Sequence, residues 1–143
     1  MSYHDFFISC LKNEREKVLA EKNKWSLCSD DICSLIRGGA NEHTLSLIIK
    51  EENELFFEQA VISNKIKIFK FLCKTYPNFL LKNKISHLFF YAFVENKNWE
   101  MTNFLEEQGF SLVENLSAFF VMSNRGENFK NYCSYKRQVK NHT

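Results

Sequence analysis

The chain has 143 residues, of which 45% are hydrophobic and 25% charged, with a formal net charge of +2. That length suits one domain able to bury roughly two thirds of the surface its unfolded form exposes, and the composition excludes an intrinsically disordered chain. A surplus of two positive charges is too small to imply nucleic-acid binding by itself. One proline and four glycines against fifteen phenylalanines argue against an all-β protein, which needs many tight turns, and favour helices with short connections.

Lysine greatly outnumbers arginine, and Asn, Ile and Phe are frequent, a bias that reflects AT-rich coding. The five cysteines (Cys10, Cys28, Cys33, Cys73 and Cys133) are odd in number and repeat no spacing. They speak against a secreted disulfide scaffold and for a reducing compartment. The N-terminus lacks the basic stretch and apolar run of a signal peptide, and no apolar segment reaches the roughly 18–20 residues that span a bilayer. The expectation is a chain that is cytoplasmic as synthesised, with export to a host cell still open by a route that needs no N-terminal signal.

Ser2 and Asp5 resemble a capping box, and Phe6, Phe7, Cys10, Leu11, Val18 and Leu19 follow at mostly helical spacing, which predicts one helix over about 3–22. Ser29, Asp30 and Asp31 read as an N-cap and acidic first turn. Ile32, Leu35 and Ile36 form the apolar stripe, and Gly38-Gly39 ends it. Asn41 caps the next helix, Asn53 caps another from Glu54 to about Ser63, and Asn64 marks a break. Ile66 to Cys73 carry a helix that stops before Pro77. Ser86 opens a segment broken at Asn96, and Trp99 to Leu105 form one more helix, closed by Gly109 and Phe110. A last pair is expected over about 113–123 and 127–135, with its break near Asn124 to Gly126.

The helices come in short pairs, so a repeat is sought. Leu55 to Lys65 laid over His87 to Lys97 places Phe57 on Phe89, Ala60 on Ala92, Asn64 on Asn96 and Lys65 on Lys97, each 32 residues apart. After a one-residue insertion, Ile68 falls on Met101, Phe71 on Phe104 and Leu72 on Leu105, each 33 apart. A period near 33 with two short helices and a loop resembles a degenerate ankyrin-repeat family. The family's Thr-Pro-Leu-His opening is absent, the inter-helix Gly is Asn64 or Asn96, and two of its small alanines are Val61 and Phe93.

The resemblance implies an all-α fold of stacked antiparallel helix pairs, about eight helices in all. It implies a single helical-repeat domain over 1–135, best supported over 54–111, with a basic tail at 136–143. Each pair leaves an apolar face that only a neighbour can cover, and stacking leaves an extended face suited to a protein partner. That face includes Glu58, Ser63, Phe90 and Glu95, with Phe90, Phe110 and Phe129 as candidate anchors. Solo repeat proteins of AT-rich coding are typical of intracellular bacteria and large DNA viruses. The implied role is therefore a non-catalytic interaction module, an effector or regulator that binds a host or partner protein. A homo-oligomer is also open, because an uncapped repeat end exposes apolar surface.

Other chemistry finds less support. Cys28 and Cys33 have neither Cys-x-x-Cys nor zinc-finger spacing, and Gly38-Gly39 is not a phosphate loop. The carboxylate clusters at Asp30-Asp31, Glu51-Glu52 and Glu106-Glu107 fall at helix ends and on polar faces. No cofactor, metal or catalytic residue is assigned. Two alternatives remain: a small enzyme using a cysteine or carboxylate, and a nucleic-acid or anionic-membrane binder acting through Lys130, Lys136, Arg137 and Lys140. The plain reading of those four cations is a solvated, frayed tail.

Overall fold

A computed structural model describes residues 1–116 and 125–141, and among them every regular element is helical. Where the sequence suggests one repeat domain over 1–135 and a separate tail, the chain divides into two compact units, 1–81 and 82–143. The first unit contains α1 (Tyr3–Leu11), α2 (Arg15–Glu21), α3 (Ser29–Gly38), α4 (Glu42–Ile48), α5 (Glu54–Ile62) and α6 (Ile66–Thr75). The short α7 (Phe79–Lys82) closes it. In the second unit α8 (Ser86–Phe89) runs into a π-helical segment (Phe90–Glu95), followed by α9 (Trp99–Glu107), α10 (Leu112–Leu116) and α11 (Arg125–Asn141). No described helix is long and apolar enough to cross a membrane.

Four of the helices start where a side chain satisfies one of their first N–H groups. The Ser2 hydroxyl accepts from the Asp5 amide at 3.1 Å, Asn41 from Thr44 at 2.9 Å, Asn53 from Leu55 at 2.9 Å and Asn98 from Met101 at 3.0 Å. The cap of α3 is Cys28, which makes no side-chain cap bond, with Ser29 already helical. The expected helix over 3–22 is two helices. Asn13 takes φ 56°, and the Glu14 amide donates back to the Ser9 carbonyl at 2.9 Å. This closure satisfies the last carbonyls of α1 and turns the chain. Asn adopts the left-handed region more readily than most residues because its short amide bonds locally.

Equivalent closures follow at Gly39 (φ 116°) and Asn64 (φ 59°), where Ala40 donates to Leu35 and Lys65 to Ala60. The acceptors Ser9, Leu35 and Ala60 are 26 and 25 residues apart, so the first unit repeats at a shorter spacing than the 33 read from the sequence. Its pairs stack in two layers. α1 packs on α3 and α3 on α5, while α2 packs on α4 and α4 on α6. The α1–α2 and α5–α6 pairs each fold back on themselves. Phe6, Cys10, Val18, Leu35, Ile36, Leu45, Phe57, Phe69 and Leu72 fill the space between the layers and are buried. Gly38 sits against Leu11, where an added Cβ would meet the Leu11 Cδ1 at 2.6 Å.

Asn13 also ties one turn to the next. Its Nδ2 donates to the Gly39 carbonyl at 3.2 Å, and its Oδ1 accepts from the Asn41 amide at 2.8 Å and the Thr44 hydroxyl at 2.7 Å. Asn13→Gly keeps the left-handed turn but deletes those three bonds and strands the buried Thr44 hydroxyl. Urea unfolding should show a loss of about 1–3 kcal/mol. A change within about 0.5 kcal/mol would mean that solvent replaces the amide.

In the second unit, the fourth closure explains the insertion seen in the sequence. The left-handed residue is Lys97 (φ 48°), 33 positions after Asn64, although Asn96 is its match by residue type. The closing bond runs from the Asn98 amide to the Ala92 carbonyl at 2.7 Å, six residues back where the other closures span five. The extra residue is therefore absorbed inside the first helix of the pair as a π turn, upstream of the position expected after Lys97. The buried Asn128 amide donates to the Phe93 carbonyl in that widened turn at 3.4 Å.

α11 packs on α9 and on the π segment. Phe93 contacts Phe129 at 4.8 Å, Trp99 at 5.7 Å and Tyr132 at 6.0 Å between ring centroids. The Tyr132 hydroxyl donates to Glu106. Arg125 and Gly126, expected in a break, lie inside α11, and the residues expected to form a frayed tail continue the same helix to Asn141. Residues 117–124 of the expected last pair fall outside the described residues.

Candidate interaction surface

α3 and α5 lie side by side in the first layer of unit 1, and a shallow groove of about 310 Å³ runs along their outward faces. The 25-residue spacing sets its register. By the repeat between the Leu35 and Ala60 closures, Asp30 corresponds to Leu55, Ser34 to Gln59 and Arg37 to Ile62, and all six line the groove. One rail presents Leu55 and Ile62, exposed by 46% and 38%, two helical turns apart on α5. Most large aliphatic side chains of this unit are buried or half-buried, so two exposed ones lining a single groove are informative where scattered ones are not.

The other rail is polar. Arg37 bridges the two helices, donating from Nη1 to the Gln59 Oε1 at 3.1 Å and from Nη2 to the Ser34 hydroxyl at 3.1 Å. Gln59 passes the network on, donating from Nε2 to the Ser63 hydroxyl at 2.6 Å. Both Arg37 partners are neutral, so the guanidinium is held in place with its charge directed to the exposed face. Cys33 lies between the rails with its Sγ 3.6 Å from the Leu55 carbonyl oxygen. Burial, and after it the Asp30 carboxylate, pushes this thiol above its ordinary range despite the opposing effect of Arg37. A second cleft, of about 300 Å³ beside the loops at Ser26 and Lys50, contains none of the exposed large hydrophobic residues.

The expected face residues separate between the two units. Glu58 lines the α3–α5 groove, and the adjoining Ser63 closes its hydrogen-bond network; both are half-buried. Phe90 and Glu95 belong to the π segment of the second unit, Phe90 half-buried with its ring 5.6 Å from that of Tyr91, and Glu95 exposed. Phe110 and Phe129 are likewise half-buried, and Phe129 packs on Phe93. Sequence reasoning did not single out Arg37, Leu55 or Ile62. The signal that finds them is the 25-residue spacing between the closures at Gly39 and Asn64.

The cations near the C-terminus lie on a helix. Lys136 is 3.5 Å from Glu106 and 4.9 Å above the Tyr132 ring. Lys130, Arg137 and Lys140 are exposed at spacings that bring them to the outward side of α11.

The five cysteines differ in exposure: Cys28 and Cys133 are exposed, Cys33 and Cys73 half-buried, and Cys10 buried. Burial pushes the Cys10 thiol up to about 11 and the Cys73 thiol up to about 12. Near pH 8, maleimide should label Cys28 and Cys133 first, and Cys10 and Cys73 only on unfolding, as read by peptide mass spectrometry. The raised values also set a sign. Protonated thiols favour the folded state, so this contribution is complete below the ordinary value of 9.0 and is lost as pH rises toward the folded values. Early labelling of Cys73 would contradict the packing of α6.

Compared with known proteins, the chain matches no family model, no curated protein and no solved structure.

Proposed function

We propose that the chain is a non-catalytic protein-interaction module that holds its partner on the α3–α5 groove. One observation carries this reading: exposed Leu55 and Ile62 flank a guanidinium fixed by Gln59 and Ser34 on the outer layer of a helical stack. Apolar anchors beside an ordered arginine are the composition of interface hot spots. Stacked helix pairs present such faces as rigid surfaces. The pairs are read as degenerate ankyrin-like repeats, and the role as that of an effector or regulator from an intracellular bacterium or large DNA virus, acting in a cytoplasm on a host or partner protein.

Affinity capture at about physiological salt tests it. The wild-type chain should retain a stoichiometric protein that the Leu55→Asp/Ile62→Asp variant loses while keeping its helical circular-dichroism signal. Equal capture by both chains, or capture of no protein, removes the groove from the function.

A second reading rests on α11. Lys130, Arg137 and Lys140 share its outward side, which suits a polyanion such as nucleic acid. Binding to a short DNA duplex would then weaken with salt with a slope of about −3 in log–log form, for about three neutralised phosphates. Reversal of the three charges should remove that slope.

A further inference from the structure

The groove has a direction, which limits what it can hold. In the register of the repeat, Asp30 and Leu55 fall toward one end and Arg37 and Ile62 toward the other, and on each helix seven residues, about 10.5 Å, separate them. Glu58, between Leu55 and Ile62 in the chain, adds a second carboxylate to the lining. Each end therefore pairs one exposed apolar side chain with one charge, and the two charges have opposite sign.

We propose that the occupant is an amphipathic helical segment of the partner protein whose own pattern is the complement of this one. It carries apolar residues at i and i+7 to meet Leu55 and Ile62, a carboxylate for Arg37, and a lysine or arginine for Asp30. The seven-residue spacing is the repeat that returns to the same face of a helix after two turns, so a helix laid along α5 reaches both ends where a compact ligand reaches one. Arg37 is the selective element. Its planar fork is already ordered by Gln59 and Ser34, so accepting a carboxylate costs little additional side-chain ordering. Asp30 fixes polarity, because a segment docked in reverse sets carboxylate against carboxylate at one end and cation against cation at the other.

This inference rests on the interaction-module reading and is tested apart from it. A phage-displayed library of random sixteen-residue peptides is selected against the immobilised full-length chain at about 0.15 M salt. The expected result is a set of peptides with a carboxylate and a cation seven or eight positions apart, each beside an apolar residue. Arg37→Gln should weaken them about ten- to a hundredfold. Arg37→Glu should reject them, yet accept peptides in which the carboxylate is exchanged for lysine. An empty selection, peptides indifferent to Arg37→Gln, or failure of the charge exchange overturns the proposal. The affinity-capture result with Leu55→Asp/Ile62→Asp is independent of the library. If that variant still loses its captured protein, the interaction reading stands and only the helical, polarised occupant is wrong.

Discussion

Phe57→Ala is expected to destabilise the unit spanning residues 1–81 by about 3–5 kcal/mol. The Phe57 ring is fully buried and lies flat against Phe79, with centroids 3.6 Å apart and planes 7° from parallel. Phe69 meets it edge-on at 6.1 Å, and Tyr76 lies 6.4 Å away. Truncation removes the ring's transfer free energy, leaves a cavity that flanking helices fill only partly, and deletes aromatic contacts. Because Phe79 and Tyr76 follow α6, the same substitution should loosen α7. Urea denaturation followed by circular dichroism gives the magnitude. A loss below about 1 kcal/mol would mean that the site collapses around alanine and that α7 is held by other contacts.

Phe93→Ala should have a comparable effect, about 3–5 kcal/mol, in the unit spanning 82–143. Phe93 is fully buried in the π segment, and its ring is the common neighbour of Trp99, Phe129 and Tyr132. Phe129 and Tyr132 are the aromatic side chains by which α11 meets this cluster. Its 17 residues average poor hydropathy, and without tertiary contacts a helix of this length is marginal in water. Hydrogen exchange over residues 125–141 should therefore quicken in Phe93→Ala. Tyr132→Phe keeps the ring and deletes only the hydrogen bond to Glu106, so its loss should be nearer 1–2 kcal/mol. Unchanged protection of α11 in Phe93→Ala would show that the helix does not depend on this cluster.

Both predictions turn on which apolar residues pack together, the part of the fold least visible in the chain. Local signals were legible because local chemistry makes them. Asn41 and Asn53 cap helices through their own amides, Gly39 and Gly109 take positive φ, and Asn64 sits at a helix break. The break at Asn13 was missed because Phe6, Phe7, Cys10, Val18 and Leu19 read as one stripe. Asn13 becomes a turn through bonds to Gly39, Asn41 and Thr44, residues 26 to 31 positions away. The one-residue insertion was seen, but its place was not. Asn64 and Asn96 match as residue types, yet the π turn moves the left-handed position to Lys97.

The candidate site was legible in part. Glu58 and Ser63 belong to the groove or its network, whereas Arg37, Leu55 and Ile62 complete it. Leu55 and Ile62 fit a buried helical stripe as well as an exposed one, and nothing in the sequence states which side faces the next helix. The basic segment shows the same limit. Its charges suggested a solvated tail, while Phe129 and Tyr132, packed on Phe93, hold those charges on a helix.

By itself, then, the sequence determined the all-helical class, most helix starts and several turns, because capping, glycine freedom and hydrophobic periodicity act within a few residues. Only the tertiary structure decided the division at residue 81, the 25- to 26-residue stacking of the first unit, the π turn and the exposure of the α3–α5 groove. Each of these depends on contacts between residues distant in the chain, where packing overrides local preference.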